Sequence, residues 1–156
     1  MLEIHEQFMK AALNEAMRAF DTDEVPVGAV ITFEGRLIAR AHNQVELLHD
    51  ATAHAEMIAL TQASEFLGRW RLTGCTLYVT LEPCSMCAGA LVSTRVDRLV
   101  FAAHDSKAGA CGCLFNIIAD ERLNHRIQIM SGIMASDSEA LLKEFFQTKR
   151  KEKRVQ

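Results

Sequence analysis

The chain has 156 residues, of which 49% are apolar and 24% charged, and it carries a net charge of −3. These proportions exclude wholesale disorder and fit one ordinary domain, long enough to bury about two-thirds of the surface its unfolded form exposes. No apolar run approaches the roughly 18 residues of a membrane span, the acidic N-terminal stretch lacks the apolar region of a signal peptide, and a cytoplasmic location is expected.

Residues 2–20 predict an amphipathic helix: Ile4, Phe8, Ala12 and Ala16 form one i, i+4 row, and Met9, Leu13 and Met17 form its neighbour. Asp21-Thr22-Asp23 breaks that pattern. Val27–Phe33 and Leu37–Ala41 predict two strands joined at Glu34-Gly35, a hairpin signal. A polar loop over 43–52 leads into a helix over 53–67, rich in Ala, Leu, Met and Glu. A strand follows over 75–81; Pro83 stops it, and 85–94 suits a helix beginning directly after the proline. Residues 98–103 predict a fourth strand, the glycine-bearing stretch 104–116 a loop, 126–130 a short fifth strand and 138–151 a final helix. Strands alternating with helices indicate the α/β class. One hairpin together with crossover-length connections indicates a mixed sheet.

The overall charge argues against a generic nucleic-acid binder, but its distribution is uneven. Lys149, Arg150, Lys151, Lys153 and Arg154 stand against Glu152 alone, so this segment is +4 and the remainder −7. Such a tail suits phosphate binding, and it equally suits a solvated helix end whose cations complement the helix dipole. The five cysteines, an odd number, do not suggest a disulfide framework and favour metal or thiol chemistry.

The chemistry concentrates in two short segments. In Glu82-Pro83-Cys84-Ser85-Met86-Cys87 the cysteines are three apart, so in a helix's first turn, marked by Pro83, their sulfurs share a face. The free N–H groups and positive dipole end there favour thiolate over thiol. Two thiolates facing one way chelate a borderline-soft cation such as zinc. Upstream, Thr52-Ala53-His54-Ala55-Glu56 supplies a third ligand, His54, again in the first turn of a predicted helix. Three protein ligands leave the fourth tetrahedral position to water, the layout of a catalytic rather than a structural site. Glu56, two residues after the histidine, is placed to take a proton from that water without ligating the metal.

The H-x-E…P-C-x-x-C pattern resembles the signature of zinc deaminases. More of the chain resembles the cytidine/deoxycytidylate deaminase superfamily, and within it the bacterial tRNA adenosine deaminases of the TadA type. The stretches that carry the likeness are Glu24–Val30, Asn43, Asp50–Glu56, Leu77–Leu91, Val100–Asn116, Asn124-His125-Arg126 and Phe145-Phe146. The resemblance implies a three-layer α/β/α cytidine-deaminase-like fold with a mixed five-stranded sheet, and a homodimer. It implies one zinc ion per subunit on His54, Cys84 and Cys87, with Glu56 as proton shuttle. The implied reaction is hydrolytic deamination of adenosine to inosine at the wobble position of a tRNA anticodon. Asn43 matches the asparagine that hydrogen-bonds the purine, though alone it would serve equally as a turn cap. Ala55 would frame the reacting centre. In the loop 104–109, Asp105 and Lys107 would meet ribose, a flanking base or phosphate, or stand as ordinary surface residues. Phe145 and Phe146 form i, i+4 pairs with Leu141 and Leu142 and read first as core; the basic tail, given an RNA substrate, reads as a phosphate contact.

Several positions depart from that family pattern. Ala51 stands where proline is usual, which loosens the approach to the zinc helix. His104 and Gln147 stand where arginine is usual, which bears on RNA affinity more than on chemistry. Cys111 and Cys113 replace small residues and are expected to be free thiols, with no nearby His or Cys to complete a metal set. Two alternatives remain at this level: a deaminase of a free base such as guanine or cytosine, and a zinc-stabilised RNA-binding module without activity. Cys87–Val92 offers small residues either for a helix-face contact between subunits or for the monomer core.

Overall fold

The computed structural model describes residues 1–155. Its elements in chain order are α1 (Leu2–Asp21), β1 (Gly28–Phe33), β2 (Arg36–His42), α2 (Val45–Leu48), α3 (Ala55–Leu67), β3 (Cys75–Leu81), α4 (Ser85–Ser93), β4 (Arg98–Ala103), β5 (Gln128–Ser131) and α5 (Ala135–Val155). The strands form one five-stranded sheet in the order β2-β1-β3-β4-β5. β1 pairs antiparallel with both β2 and β3, whereas β3, β4 and β5 run parallel, so the sheet is mixed as expected.

The two-residue alternation of strand side chains divides the core into two layers. Ala29, Ile31, Leu77, Val79, Leu99 and Phe101 face a cluster that includes Ala55, Ala59 and Leu60 of α3 and Ala88 and Leu91 of α4. Their neighbours Val30, Tyr78, Val100 and Ala102 face Met9, Ala12 and Leu13 of α1 and Ile133, just before α5. Helices therefore cover both faces, as the parallel half of the sheet requires. α1 lies close enough to β1 that a Cβ on Gly28 would collide with the Ala12 carbonyl. The β1–β2 hairpin turns through Glu34 and Gly35, with φ of 51° and 76°, the left-handed pair that two-residue hairpin loops favour.

Four boundaries differ from the sequence expectation in ways that bear on the site. The stretch 43–52 holds the short α2, whose Glu46 and Leu47 amides donate to the buried carboxylate of Glu24 at 2.9 and 2.8 Å. α3 begins at Ala55, so His54 is its N-cap rather than a first-turn residue. Cys84 is likewise the N-cap of α4, which places Pro83 just before that helix instead of inside it. α5 starts three residues earlier than expected and runs to Val155, carrying the basic tail as continuous helix. Among the described residues no helix is long and apolar enough to cross a membrane.

Candidate active site

The site lies where α3 and α4 begin, at the C-terminal end of β3. Both N-caps have extended backbone, with ψ of 151° at His54 and 177° at Cys84. That conformation turns each side chain back across the start of its helix, and Cys87 follows in the first turn of α4. His54 Nδ1 stands 3.6 Å from Cys84 Sγ and 3.5 Å from Cys87 Sγ. Tetrahedral zinc, at about 2.3 Å from sulfur and about 2.0–2.1 Å from nitrogen, would set each N···S separation near 3.6 Å. Both separations from His54 fit such an ion.

The electrostatics point the same way. The hydrogen bond from Cys87 and the neighbouring His54 lower the Cys84 thiol to about 3, while its bond to Cys84 and its burial raise the Cys87 thiol. These opposite shifts mark two thiols competing for one negative charge, a conflict that a divalent ion would relieve. His54 is shifted upward, chiefly by its bond to Cys84 and against the effect of burial.

Glu56 is 4% exposed, and burial raises its carboxyl above the ordinary value; its own backbone N–H and His54 pull the other way. It shares a cavity of about 940 Å³ with His54, Cys84, Ala55 and Asn43. Asn43 is buried, donates from Nδ2 to the Val25 carbonyl at 3.4 Å, and its Oδ1 has no hydrogen-bond partner among the described residues. A buried orphan acceptor in a cavity wall is costly unless a ligand completes it. Its place here favours the ligand-binding reading of Asn43 over the turn-cap reading.

Other predicted residues divide. Asp105 lines the cavity, but its Oδ1 accepts from the amides of Lys107 at 3.0 Å and Ala108 at 3.2 Å, so the carboxylate also shapes its own loop. Lys107 is exposed and does not line the cavity. Phe145 is buried against Phe20 and lines the cavity, whereas Phe146 is largely exposed. Lys149 reaches the cavity rim and forms an ion pair with Asp23, so one residue of the basic tail is engaged within the fold. Asp50 Oδ1 accepts from both the amide and the hydroxyl of Thr52, at 2.8 and 2.7 Å, and this turn holds the approach to His54 despite Ala51. Cys87, Ala88, Leu91 and Val92 are buried in the monomer core.

Sequence reasoning gave Glu82 no role beyond its place in the motif. It is 2% exposed, and its carboxylate accepts from the backbone amides of Asp105 at 3.1 Å, Cys111 at 3.0 Å and Cys113 at 3.2 Å. Burial acts against its charge, yet the Cys113 thiol and these amides hold its pKa below the ordinary value. Glu82 thus ties the loop after β4 to the end of β3. A Cβ on Gly109 would run into that carboxylate, which is why the loop carries glycine there. The expectation that nothing near Cys111 and Cys113 completes a metal set is overturned for Cys113: His104 and Glu82 lie beside it. The separation is topological, since parallel pairing of β3 and β4 brings residues 82 and 104 together. Cys111, by contrast, is buried, and burial raises its thiol to about 12.

The chain matches the profile of MafB19-like deaminases over residues 3–150. It is 48% identical over 150 residues to the tRNA-specific adenosine deaminase of Bacillus subtilis (strain 168), covering 96% of this chain and 93% of that one. The chain belongs to the tRNA-specific adenosine deaminase family. A solved structure from studies of A-to-I editing by tRNA:A34 deaminases at the wobble position of transfer RNA superimposes with a TM-score of 0.85 at 44% identity, covering 87% of this chain and 99% of that one. The guanine deaminase of Nitrosomonas europaea superimposes with a TM-score of 0.79 at 28% identity, covering 90% and 83% of the two chains. The fold is therefore the cytidine-deaminase-like α/β fold, and this family member carries it with the donor set and cavity described above.

Proposed function

We propose that this deaminase, a single domain working in the cytoplasm as a homodimer, converts adenosine to inosine at the wobble position of tRNA anticodons. The observation that carries the reading is the His54, Cys84 and Cys87 donor triangle at zinc-fitting separations, with the buried Glu56 carboxylate beside it in one cavity. Zinc held by these three residues supplies the Lewis acidity that makes water a nucleophile near neutral pH. Glu56 takes the proton of the attacking water and delivers it to N1 of the adenine; it then carries the proton of the hydroxyl added at C6 to the amino group, which leaves as ammonia as the carbonyl forms. Its burial suits that double role, because a raised pKa brings a carboxyl closer to the operating pH, where it can both take and give a proton.

Asn43 supplies the amide that the purine edge completes, and the amides at the start of α3, around Ala55, frame the reacting centre. The cavity exceeds the needs of a base alone and leaves room for a nucleotide extruded from the anticodon stack. Asp105 and Lys107 lie on the loop bounding it, and the helical tail beyond Lys149 offers cations to the RNA backbone. Incubation with an anticodon stem-loop carrying wobble adenine, followed by mass spectrometry, tests the substrate: inosine is expected, and guanine turnover without inosine in the RNA would replace this reading with the free-base one. Sedimentation equilibrium tests the dimer.

A further inference from the structure

We propose that Glu82, His104 and Cys113 form a second site for a divalent ion of the zinc class, which clips the loop after β4 onto the end of the sheet. His104 Nδ1 lies 3.4 Å from Glu82 Oε1 and 3.8 Å from Cys113 Sγ, and the three donor atoms all fall within 4.8 Å of one another. Tetrahedral zinc would set these separations at about 3.3 Å for N···O and about 3.6 Å for N···S. Both separations measured from His104 lie within one or two tenths of an ångström of those values.

Three further features support an ion there. The Glu82 side chain is 0% exposed, and three of its acceptor contacts are to neutral backbone amides, which stabilise a charge without cancelling it. Among the described residues, the basic side chain paired with it is His104, which is charged only when protonated. Second, His104 and Cys113 are both exposed, so an ion reaches the buried carboxylate directly from solvent, and the fourth position is left to water. Third, the Phe101 ring stands edge-on to the His104 imidazole at 5.2 Å between centroids and restricts its plane. One carboxylate, one imidazole and one thiolate select zinc-class ions over magnesium or calcium, which demand oxygen.

The ligands come from the end of β3, the end of β4 and the loop between β4 and β5. That loop also supplies Asp105 and Ala108 to the cavity wall. Ion binding therefore stiffens one wall of the cavity, to which Glu82 itself belongs. This inference stands whether the cavity accepts RNA or a free base.

Protein holding one zinc ion per chain is titrated with Co²⁺, following thiolate-to-cobalt absorption and stoichiometry by native mass spectrometry. A second equivalent is expected, together with slower amide hydrogen exchange over residues 104–113. His104→Gln and Cys113→Ser change exposed side chains and leave the fold intact. Each is expected to weaken the second equivalent by at least the roughly tenfold that loss of an outer-shell partner costs elsewhere, and the pair together to abolish it. A total that stays at one metal ion per chain in the unsubstituted protein, or a second ion untouched by both substitutions, overturns the proposal and leaves an ion pair with a neighbouring thiol.

Discussion

The protein holds two histidine–cysteine clusters that are built in different ways. On the cavity floor, His54 and Cys84 are the N-caps of α3 and α4, and Cys87 sits in α4's first turn. Their positions are fixed by helices packed against the sheet, so the donors hold their spacing by backbone geometry alone. On the outer side, His104 and Cys113 stand on a loop that Glu82 gathers by accepting its amides. The donor separations are alike, but the supports differ: the inner set is preorganised by regular structure, the outer one by a single buried carboxylate. The inner set should therefore tolerate little chemical change, and the outer one little steric change near Glu82.

The sharpest test of the inner half is Glu56→Gln. It preserves shape and removes the proton acceptor, so zinc content and fold should persist while turnover falls by about 10²–10⁴-fold, measured with the stem-loop substrate. Normal turnover would remove Glu56 from the chemistry. In the unsubstituted enzyme, Glu56 must be ionised to take the water proton. Burial raises its carboxyl, and a cation held by His54, Cys84 and Cys87 would oppose that shift, so activity should be present at higher pH and be lost as pH falls through the titration of this carboxyl. A zinc assay along the same titration separates this limb from metal loss; activity that persists in acid while zinc is retained would contradict it.

On the outer half, Gly109→Ala forces a methyl group against the Glu82 carboxylate. Stability should fall by about 1–3 kcal/mol, measured by urea unfolding, with increased exchange across the loop. A neutral effect would show that Glu82 can yield, and the contrast between a stiff floor and a stapled loop would weaken.

Regular structure around the floor was legible in the sequence because it follows local rules. Strands β3 and β4 occupy 75–81 and 98–103 as their patterns indicate, and H-x-E with P-C-x-x-C places four side chains by short spacing. The cap positions of His54 and Cys84 were not legible, since a cap and a first-turn residue differ by one dihedral that the residue type does not dictate. Glu24 holding α2, and Glu82 holding the loop, depend on partners about 20 to 30 residues away, brought together only by the completed sheet. In the cluster of Glu82, His104 and Cys113, the approach of Glu82 to the loop was hidden for the same reason, since it arises across the parallel pair β3 and β4; His104 and Cys113 lie nine residues apart on one loop, whose path spacing alone does not give.

Between the two halves stands Asn43. Its Nδ2 bond to Val25 is long, and its Oδ1 is an unpaired buried acceptor, so Asn43→Ala removes one weak bond and one unfavourable burial together. Stability should change by less than about 1 kcal/mol. Substrate capture should suffer more, with kcat/KM down by roughly tenfold, the worth of one neutral hydrogen bond lost to a buried partner. A large loss of stability with unchanged kinetics would return Asn43 to a structural role.

The smallest effect belongs to the periphery. Lys149 is committed to Asp23 and Glu152 and lies on the cavity rim, but Arg150, Lys151, Lys153 and Arg154 continue along α5 away from the core. Truncation after Lys149 therefore keeps the packed part of the helix and the pair with Asp23, and it removes four cations together with Glu152. Displaced counterions set the salt dependence of RNA binding. Each phosphate that the shortened helix no longer neutralises should therefore flatten the slope of log K against log salt by about 0.7 for single-stranded RNA. Turnover at saturating substrate should stay unchanged, since the floor is untouched. A steep slope that survives truncation would mean that phosphate is gripped elsewhere, with the loop carrying Lys107 as the next surface to test.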